Sequence, residues 1–407
     1  MSVNFTVERV VFCFFLILWL GYAFALCKLG FGEDTDAWLM AQTAQKLYFG
    51  ETYDPARSFG NPVYEFLLVL IQPNQNWFWS NFFNLFLASV FLWRLGKYFP
   101  FLSGFQLLIA RLTLMVLPVF TEAASSSMEY MLVWVLFFEA LQARKNRFNW
   151  LFWGFSFFIV FTRLEFFLFL IPFFYSKNAK PHFPFYVLAA SFGFYLFWSF
   201  GKNPSPFTSF ETGIQFYAGR IFFLFKQAGP LLTVYLFLLA GILSNRKALT
   251  EYKKSGIIAL AFFVFFPFEW AYAFPALLSG LLGWISIFRK PVQVAIPISS
   301  FLLSIIHFEN DSFLSFPSNF RNRNEMIKTY TTAQVIDFKR PTLILEGATY
   351  LPTNTRNWDK LMNNRLFHKK SSNLFIGERL SEKEIDSLKL SGMAVHQKFS
   401  EIHSFKF

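Results

Sequence analysis

Long apolar runs separated by short polar, mostly basic interruptions set the pattern of this chain. From Val10 to Leu29 no charge appears before Lys28, and twenty such residues at about 1.5 Å each match a hydrocarbon layer of about 30 Å. Comparable runs follow at Asn76 to Trp93, Phe105 to Phe120, Met128 to Leu141, Phe185 to Phe200, Pro230 to Leu243 and Val292 to Ile306. Basic residues fall between them: Arg9; Arg94 and Lys97; Arg144, Lys145 and Arg147; Lys177 and Lys180; Arg246, Lys247, Lys253 and Lys254; Arg289 and Lys290. If each cluster faces the cytoplasm, the chain crosses twice between consecutive clusters. Arg147 and Lys177 are too close for two full spans, so the pattern predicts a hairpin of short helices, Trp150 to Phe161 and Leu164 to Tyr175, with Thr162 and Arg163 at its crest. A second hairpin, Gly256 to Phe266 and Tyr272 to Phe288, has Pro267, Phe268 and Glu269 at its crest. The expectation is an all-α polytopic membrane protein of about eleven membrane helices, N-terminus cytoplasmic and C-terminus outside.

The polar stretch after the first run breaks this rhythm. Glu33, Asp34 and Asp36 stand within four positions, ahead of a helical pattern (Trp38, Leu39, Ala41, Ala44, Leu47) that Gly50 closes. A turn-rich piece with Tyr53, Arg57, Gly60, Pro62, Tyr64 and Glu65 then leads into a second interfacial helix, Val63 to Ile71. Clustered carboxylates beside an arginine at a membrane surface point to base chemistry on a lipid-anchored substrate.

Composition sharpens the class. Of 407 residues 55% are hydrophobic and 15% charged, too few charges for an ordinary soluble surface. The formal charge of +12 is scattered in clusters between apolar runs, which fits positive-inside topology and excludes a nucleic-acid partner. Cys13 and Cys27 lie roughly 21 Å apart along one helix and cannot form a disulfide with each other. The first apolar run is long for a signal peptide and is expected to be retained.

From His307 onward the character is that of a soluble domain, with 15 Lys and Arg against 11 Asp and Glu. The chain thus divides into a membrane part, 1–306, and a small α/β domain, 307–407, expected outside. In the latter, Thr342 to Glu346 reads as a buried strand, and Asn354 to Asn364 and Ser381 to Leu390 as helices, the last opened by the capping box Ser381 to Glu384.

The order Asp34-Thr-Asp36-Ala-Trp-Leu, a helix ending at Gly50, then Tyr53, Arg57 and Gly60-Asn-Pro-Val-Tyr-Glu65 resembles the first external loop of GT-C superfold membrane glycosyltransferases, such as protein mannosyltransferases and aminoarabinose transferases. The resemblance continues in Ser127-Met-Glu129-Tyr-Met, in Thr162-Arg-Leu164 and in Pro267-Phe-Glu-Trp-Ala-Tyr-Ala-Phe-Pro275, and it stops near Ile306. It implies a polyprenyl-phosphate-linked sugar donor, a glycan, glycolipid or protein acceptor, and residence in a bacterial inner membrane with the C-terminus periplasmic. It also implies a catalytic aspartate in the acid motif and a place beside the active site for the segment holding Glu269 and Tyr272.

The chemistry that this requires can be assigned to residues. An acceptor hydroxyl needs a base as its bond to the anomeric carbon forms, and Asp34 and Asp36, with Glu33 beside them, are the candidates. Crowded acids raise one another's pKa, which suits a base; the plainer reading is that Asp34 caps the following helix and Asp36 favours its positive end. The departing lipid phosphate gathers charge that a fixed cation offsets, and Arg163 and Arg57 are placed to do so. Against this stand an Arg163–Glu165 pair or a snorkelling side chain, and a solvated Arg57. Glu269, Glu129, Glu65, Tyr64 and Tyr272 complete the candidate substrate-binding set, although Glu269 could equally rest in interfacial water. Arg111, deep in the third run, has no role beyond an intramembrane ion pair.

No metal-ligand spacing occurs among the five His, and no cofactor is assigned; a divalent ion at Asp34 and Asp36 stays open. The absence of a Gly-rich phosphate loop argues against a nucleotide-sugar donor. The expected activity is therefore inverting transfer of a sugar from a polyprenyl-phosphate carrier on the outer face. Two rivals are a lipid-linked glycan flippase, which would show repeats and interrupted helices, and a non-enzymatic membrane anchor, which needs no acids in loop one.

Overall fold

The computed structural model describes residues 7–32, 35–48, 53, 61–71, 77–146, 148–163, 165–174, 218–219, 221–222, 224–225, 228–244, 249–265 and 270–305, together with strand residues 334–336, 373–376, 394–399 and 402–406. It is mostly helical. In chain order the helices are α1 (Val7–Cys27), α2 (Thr35–Tyr48), α3 (Pro62–Ile71), α4 (Trp77–Tyr98), α5 (Gly104–Val116), α6 (Pro118–Ser125), α7 (Tyr130–Lys145), α8 (Asn149–Thr162) and α9 (Phe166–Phe174). After these come α10 (Leu231–Ala240), α11 (Thr250–Phe265), α12 (Phe274–Ile287) and α13 (Lys290–Ile305), with single 3-10 turns at Gly241–Leu243 and Trp270–Ala273.

Among the described residues two helical stretches are long and apolar enough to cross a membrane, Val7–Cys27 and Trp270–Ile287. The bent pair α5 and α6 makes a third if it counts as one span. The sequence predicts one unbroken helix from Phe105 to Phe120, and here the structure differs. Pro118 has no amide proton and disfavours helical geometry in the residue before it, so Leu117 is extended (φ −77°, ψ 120°) and the axis turns by 69°. The break shortens α5 and sends α6 back over the core, where Phe120 and Thr121 are buried.

The other described helices follow the hydrophobic pattern, most to within four residues, although α4 runs five residues past Trp93 and α11 begins six residues before Gly256. The two short helices of the first hairpin are α8 and α9, and they meet around Arg163. The expected helix from Phe185 to Phe200 and the crest residues Pro267 to Glu269 lie outside the described residues.

Aromatic stacking holds the helices together. Trp134 of α7 stacks on Phe274 of α12 with centroids 3.6 Å apart, and Phe120 of α6 stacks on both rings. Burial of one such side chain stabilises the packed state by about 1.5–3 kcal/mol. Elsewhere small residues let backbones touch: a Cβ on Gly280 would stand 1.7 Å from the Leu238 carbonyl oxygen, so α10 and α12 can approach only through glycine. Apolar side chains also face outward along α1, where Val10, Phe14, Ile17 and Leu18 are exposed. Both cysteines are free thiols.

In the C-terminal part four short strands form a mixed sheet, β1 (Gln334–Ile336), β2 (Asn373–Ile376), β3 (Ala394–Phe399) and β4 (Ile402–Lys406), in the order β1-β2-β4-β3. β1 and β2 pair in parallel, which requires a crossover connection, while β3 and β4 form an antiparallel hairpin with a shift between Val395 and Gln397. The strand expected at Thr342 to Glu346 and the helices at Asn354 to Asn364 and Ser381 to Leu390 lie outside the described residues.

Candidate functional site

Helix α4 carries a polar stripe, Ser80, Asn81 and Asn84, in an otherwise apolar surface, and all three are fully buried. Residues three and four apart on a helix are neighbours, so Asn81 and Ser80 each lie beside Asn84 and the stripe presents several hydrogen-bonding groups to whatever packs there. What packs there is the non-helical link between α6 and α7, Ser126 to Glu129. The Asn84 amide nitrogen lies within hydrogen-bond reach of three oxygens: the carbonyls of Ser126 (2.5 Å) and Met128 (2.9 Å) and the Tyr64 hydroxyl (2.9 Å). Ser127 donates its hydroxyl to the Asn81 side-chain oxygen (2.7 Å) and its backbone N–H to the Phe31 carbonyl (2.6 Å). Asn81 in turn donates to the carbonyls of Cys27 (3.2 Å) and Gly30 (2.7 Å). The end of α1, the opening of loop one and the α6–α7 link are thereby fastened to one helix face.

Gly32 sits where loop one meets that link. Its φ of +151° and the 2.9 Å from its would-be Cβ to the Ser126 Cβ leave no room for a side chain. The Glu122 carboxylate, on α6, has an oxygen 3.7 Å from the same point. Thus a carboxylate from another helix stands at the start of the acid stretch. Of that stretch, Asp36 is the second residue of α2, while Glu33 and Asp34 lie outside the described residues.

Glu65, on α3, is fully buried, yet it accepts hydrogen bonds from the Tyr53 hydroxyl (2.5 Å) and the Asn61 backbone N–H (3.3 Å). Loop one is closed on itself by this carboxylate. The adjacent Tyr64 points the other way, into the Asn84 network. Burial pushes its phenol well above the usual range; the Asn84 hydrogen bond opposes this, and the Glu129 charge adds to it. Tyr64 therefore keeps its proton.

Arg163 caps the end of α8 in an extended conformation (φ −153°, ψ 109°), which turns its side chain inward at the crest of the hairpin. It is 3% exposed. Its Nε lies 2.5 Å from a Glu165 carboxylate oxygen and 3.2 Å from one of Glu129, and its Nη2 donates to the Tyr272 hydroxyl (2.8 Å). The guanidinium also lies over the rings of Tyr130 (4.2 Å) and Tyr272 (4.7 Å). Burial works against its charge, but Glu165, then the two tyrosines and Glu129, outweigh burial and hold it above the usual arginine range. Arg163 stays cationic. One nitrogen, Nη1, is buried without a hydrogen bond.

The structure thus connects four residues singled out from sequence, Tyr64, Glu129, Arg163 and Tyr272, through Asn84 and the Ser126–Glu129 link. Glu65 belongs to loop one's own closure. Arg57 and Glu269 lie outside the described residues. The connectors Ser80, Asn81, Asn84 and Glu122 escaped the sequence reading, although three polar residues on one face of an apolar helix are costly in lipid and could have been singled out on that ground. Of the readings of Arg163, the pair with Glu165 is present in the structure, and the same side chain also reaches Glu129 and Tyr272. A bidentate grip on phosphate would require Nη2 to release Tyr272 and join Nη1.

Among the described residues no group of three or more His, Cys, Asp or Glu stands close enough to hold a metal ion. Compared with protein-family models, curated proteins and solved structures, the chain matches none.

Proposed function

We propose that this chain is an integral membrane glycosyltransferase that moves a sugar from a polyprenyl-phosphate carrier to an acceptor on the outer face, with inversion at the anomeric carbon. In this reading a loop-one carboxylate, Asp34 or Asp36 with Glu33 beside them, takes the acceptor proton, and Arg163 offsets the charge of the departing phosphate. The observation that carries it is one chain of contacts, hydrogen bonds at its two ends and an ion pair between them. The Phe31 carbonyl, at the mouth of the acid stretch, holds Ser127, and two residues on Glu129 meets Arg163 and, through it, Tyr272. Segments distant in sequence that bear acid, cation and phenol share one end of the helix bundle, as transfer between a lipid phosphate and a hydroxyl requires.

The same reading takes the apolar helices as about eleven membrane crossings, N-terminus cytoplasmic, with the C-terminal sheet in a small α/β domain outside that shapes acceptor access. The acceptor is a glycan, a glycolipid or a protein. A divalent ion beside the loop-one acids is compatible with it and not required by it.

One observation favours a flippase for a lipid-linked glycan instead. The 69° break between α5 and α6 is an interrupted helix, and such helices mark the binding sites of transporters. Purified protein in liposomes, supplied with a short-chain polyprenyl-phosphate sugar on one side, separates the two. The glycosyltransferase reading requires cleavage of the sugar–phosphate bond. Movement of intact donor across the bilayer without cleavage would establish the transporter.

A further inference from the structure

A second arginine, outside the relay above, stands where α1, α4 and α5 meet. Arg111 lies on α5 seven residues beyond Gly104, about 10 Å into the helix. Its Nε donates to the Leu92 carbonyl (2.8 Å) and its Nη2 to the Trp93 carbonyl (2.9 Å), both on α4, and its guanidinium covers the buried Phe12 ring of α1 at 4.1 Å. The third nitrogen, Nη1, has no hydrogen-bond partner among the described residues and is not enclosed by them.

Two other inward-turned arginines among the described residues are answered by carboxylates. Arg163 has Glu129 and Glu165, and Arg94 has Glu139 (Nη2 to Oε2, 2.6 Å). Among the described residues no carboxylate pairs with Arg111. Glu8, the nearest acid along α1, is turned to the first residue of α5, with its carboxyl carbon 3.9 Å from a would-be Cβ on Gly104. There it complements the positive end of the helix.

A second cation adds to the excess. Arg9 lies three residues before Phe12, on the same face of α1, and is exposed. Two cations for which no ion pair is present among the described residues, at the edge of an apolar bundle, call for an anion from outside the chain. The surroundings fix its kind. Trp93 is 62% exposed beside Arg111, as an aromatic at headgroup depth is, and Val10 and Phe14 present apolar surface to acyl chains on the same stretch of α1.

We propose that Arg111 and Arg9 hold the phosphate of an anionic phospholipid, in the leaflet that contains the N-terminal end of α1. Nη1 of Arg111 and the Arg9 guanidinium bind the phosphate oxygens while the acyl chains lie along α1. The site rests on the membrane reading above and is independent of sugar transfer.

The test uses the full chain in nanodiscs of equimolar phosphatidylglycerol and phosphatidylcholine, with retained lipid measured by native mass spectrometry after mild extraction. The parent retains phosphatidylglycerol in preference. Arg9→Gln and Arg111→Gln each lower that preference about fivefold, the usual effect of one basic residue at an anionic surface. Lys145→Gln, at the exposed end of α7, leaves it unchanged. Because Arg9 is exposed, its variant keeps the packing and remains informative if Arg111→Gln fails to fold. Equal retention of the two lipids by a properly inserted parent overturns the site, as does an equal loss in Arg9→Gln and Lys145→Gln. Inorganic phosphate that raises the melting temperature in detergent as much as phosphatidylglycerol does would make this a free-anion site, and would overturn it as a lipid site.

Discussion

Arg163 and Tyr272, 109 positions apart, are joined by a 2.8 Å hydrogen bond while the same guanidinium reaches Glu129. The crest of the first helical hairpin is therefore locked to the 3-10 turn that precedes α12 and to the start of α7. One buried cation thus ties three helix ends together.

Removing one partner of a buried pair leaves the other charged and unsolvated, at a cost of about 3–5 kcal/mol. Arg163→Ala is accordingly expected to lower the melting temperature sharply, and Glu129→Gln in the same background to restore part of the loss. Arg163→Lys keeps the charge but cannot hold Glu165, Glu129 and Tyr272 at once, so it falls between. Thermal unfolding in detergent of the parent, Arg163→Ala, Glu129→Gln and the double variant reads this coupling; additive losses from the two single changes would mean that the pair does not interact.

Tyr64 supplies a pH signature. Its phenol is pushed up from the ordinary 10.0, so the folded state holds this proton more tightly than the unfolded chain does. The stability it contributes is complete below pH of about 10 and is lost as pH rises toward the folded value. Tyr64→Phe removes that loss. Melting curves taken from neutral to strongly alkaline pH should show a shallower alkaline decline for Tyr64→Phe than for the parent. Parallel declines would place the Tyr64 hydroxyl in solvent.

The parity of crossings follows from the basic clusters. Reporter fusions after Lys97, Lys145, Lys180, Lys254 and Lys290 are expected to report cytoplasm, and those after Asp54, Lys202 and Lys339 the outside. An outside signal after Lys180 would contradict the short hairpin formed by α8 and α9.

How much of this was legible in the sequence varies by element. The hydrophobic pattern located α1, α3, α7, α8 and α13 to within a few residues, because apolar length is set by the solvent around a helix and not by its neighbours. The bend at Leu117 was missed, although Pro118 was in plain view: proline inside an apolar run is tolerated or disruptive according to what lies beside it. At the site, Arg163, Glu129 and Tyr272 stood out as charge and phenol between apolar runs, but the link among them depends on α8, α7 and α12 meeting, which periodicity does not encode. Asn81 and Asn84 drew no notice in the sequence, because the partners of their side chains, at Ser126–Glu129, come from a link 42 to 46 residues away.

The account stands or falls on the acid stretch of loop one. Asp34→Asn and Asp36→Asn keep size and capping capacity but cannot accept a proton at neutral pH. The decisive measurement is the rate of sugar transfer from a polyprenyl-phosphate donor by each purified variant, at a melting temperature equal to the parent's. The account predicts that one of them transfers roughly 10²–10⁴-fold more slowly than the parent. Parental transfer rates in both would contradict it and leave that stretch as the capped start of α2.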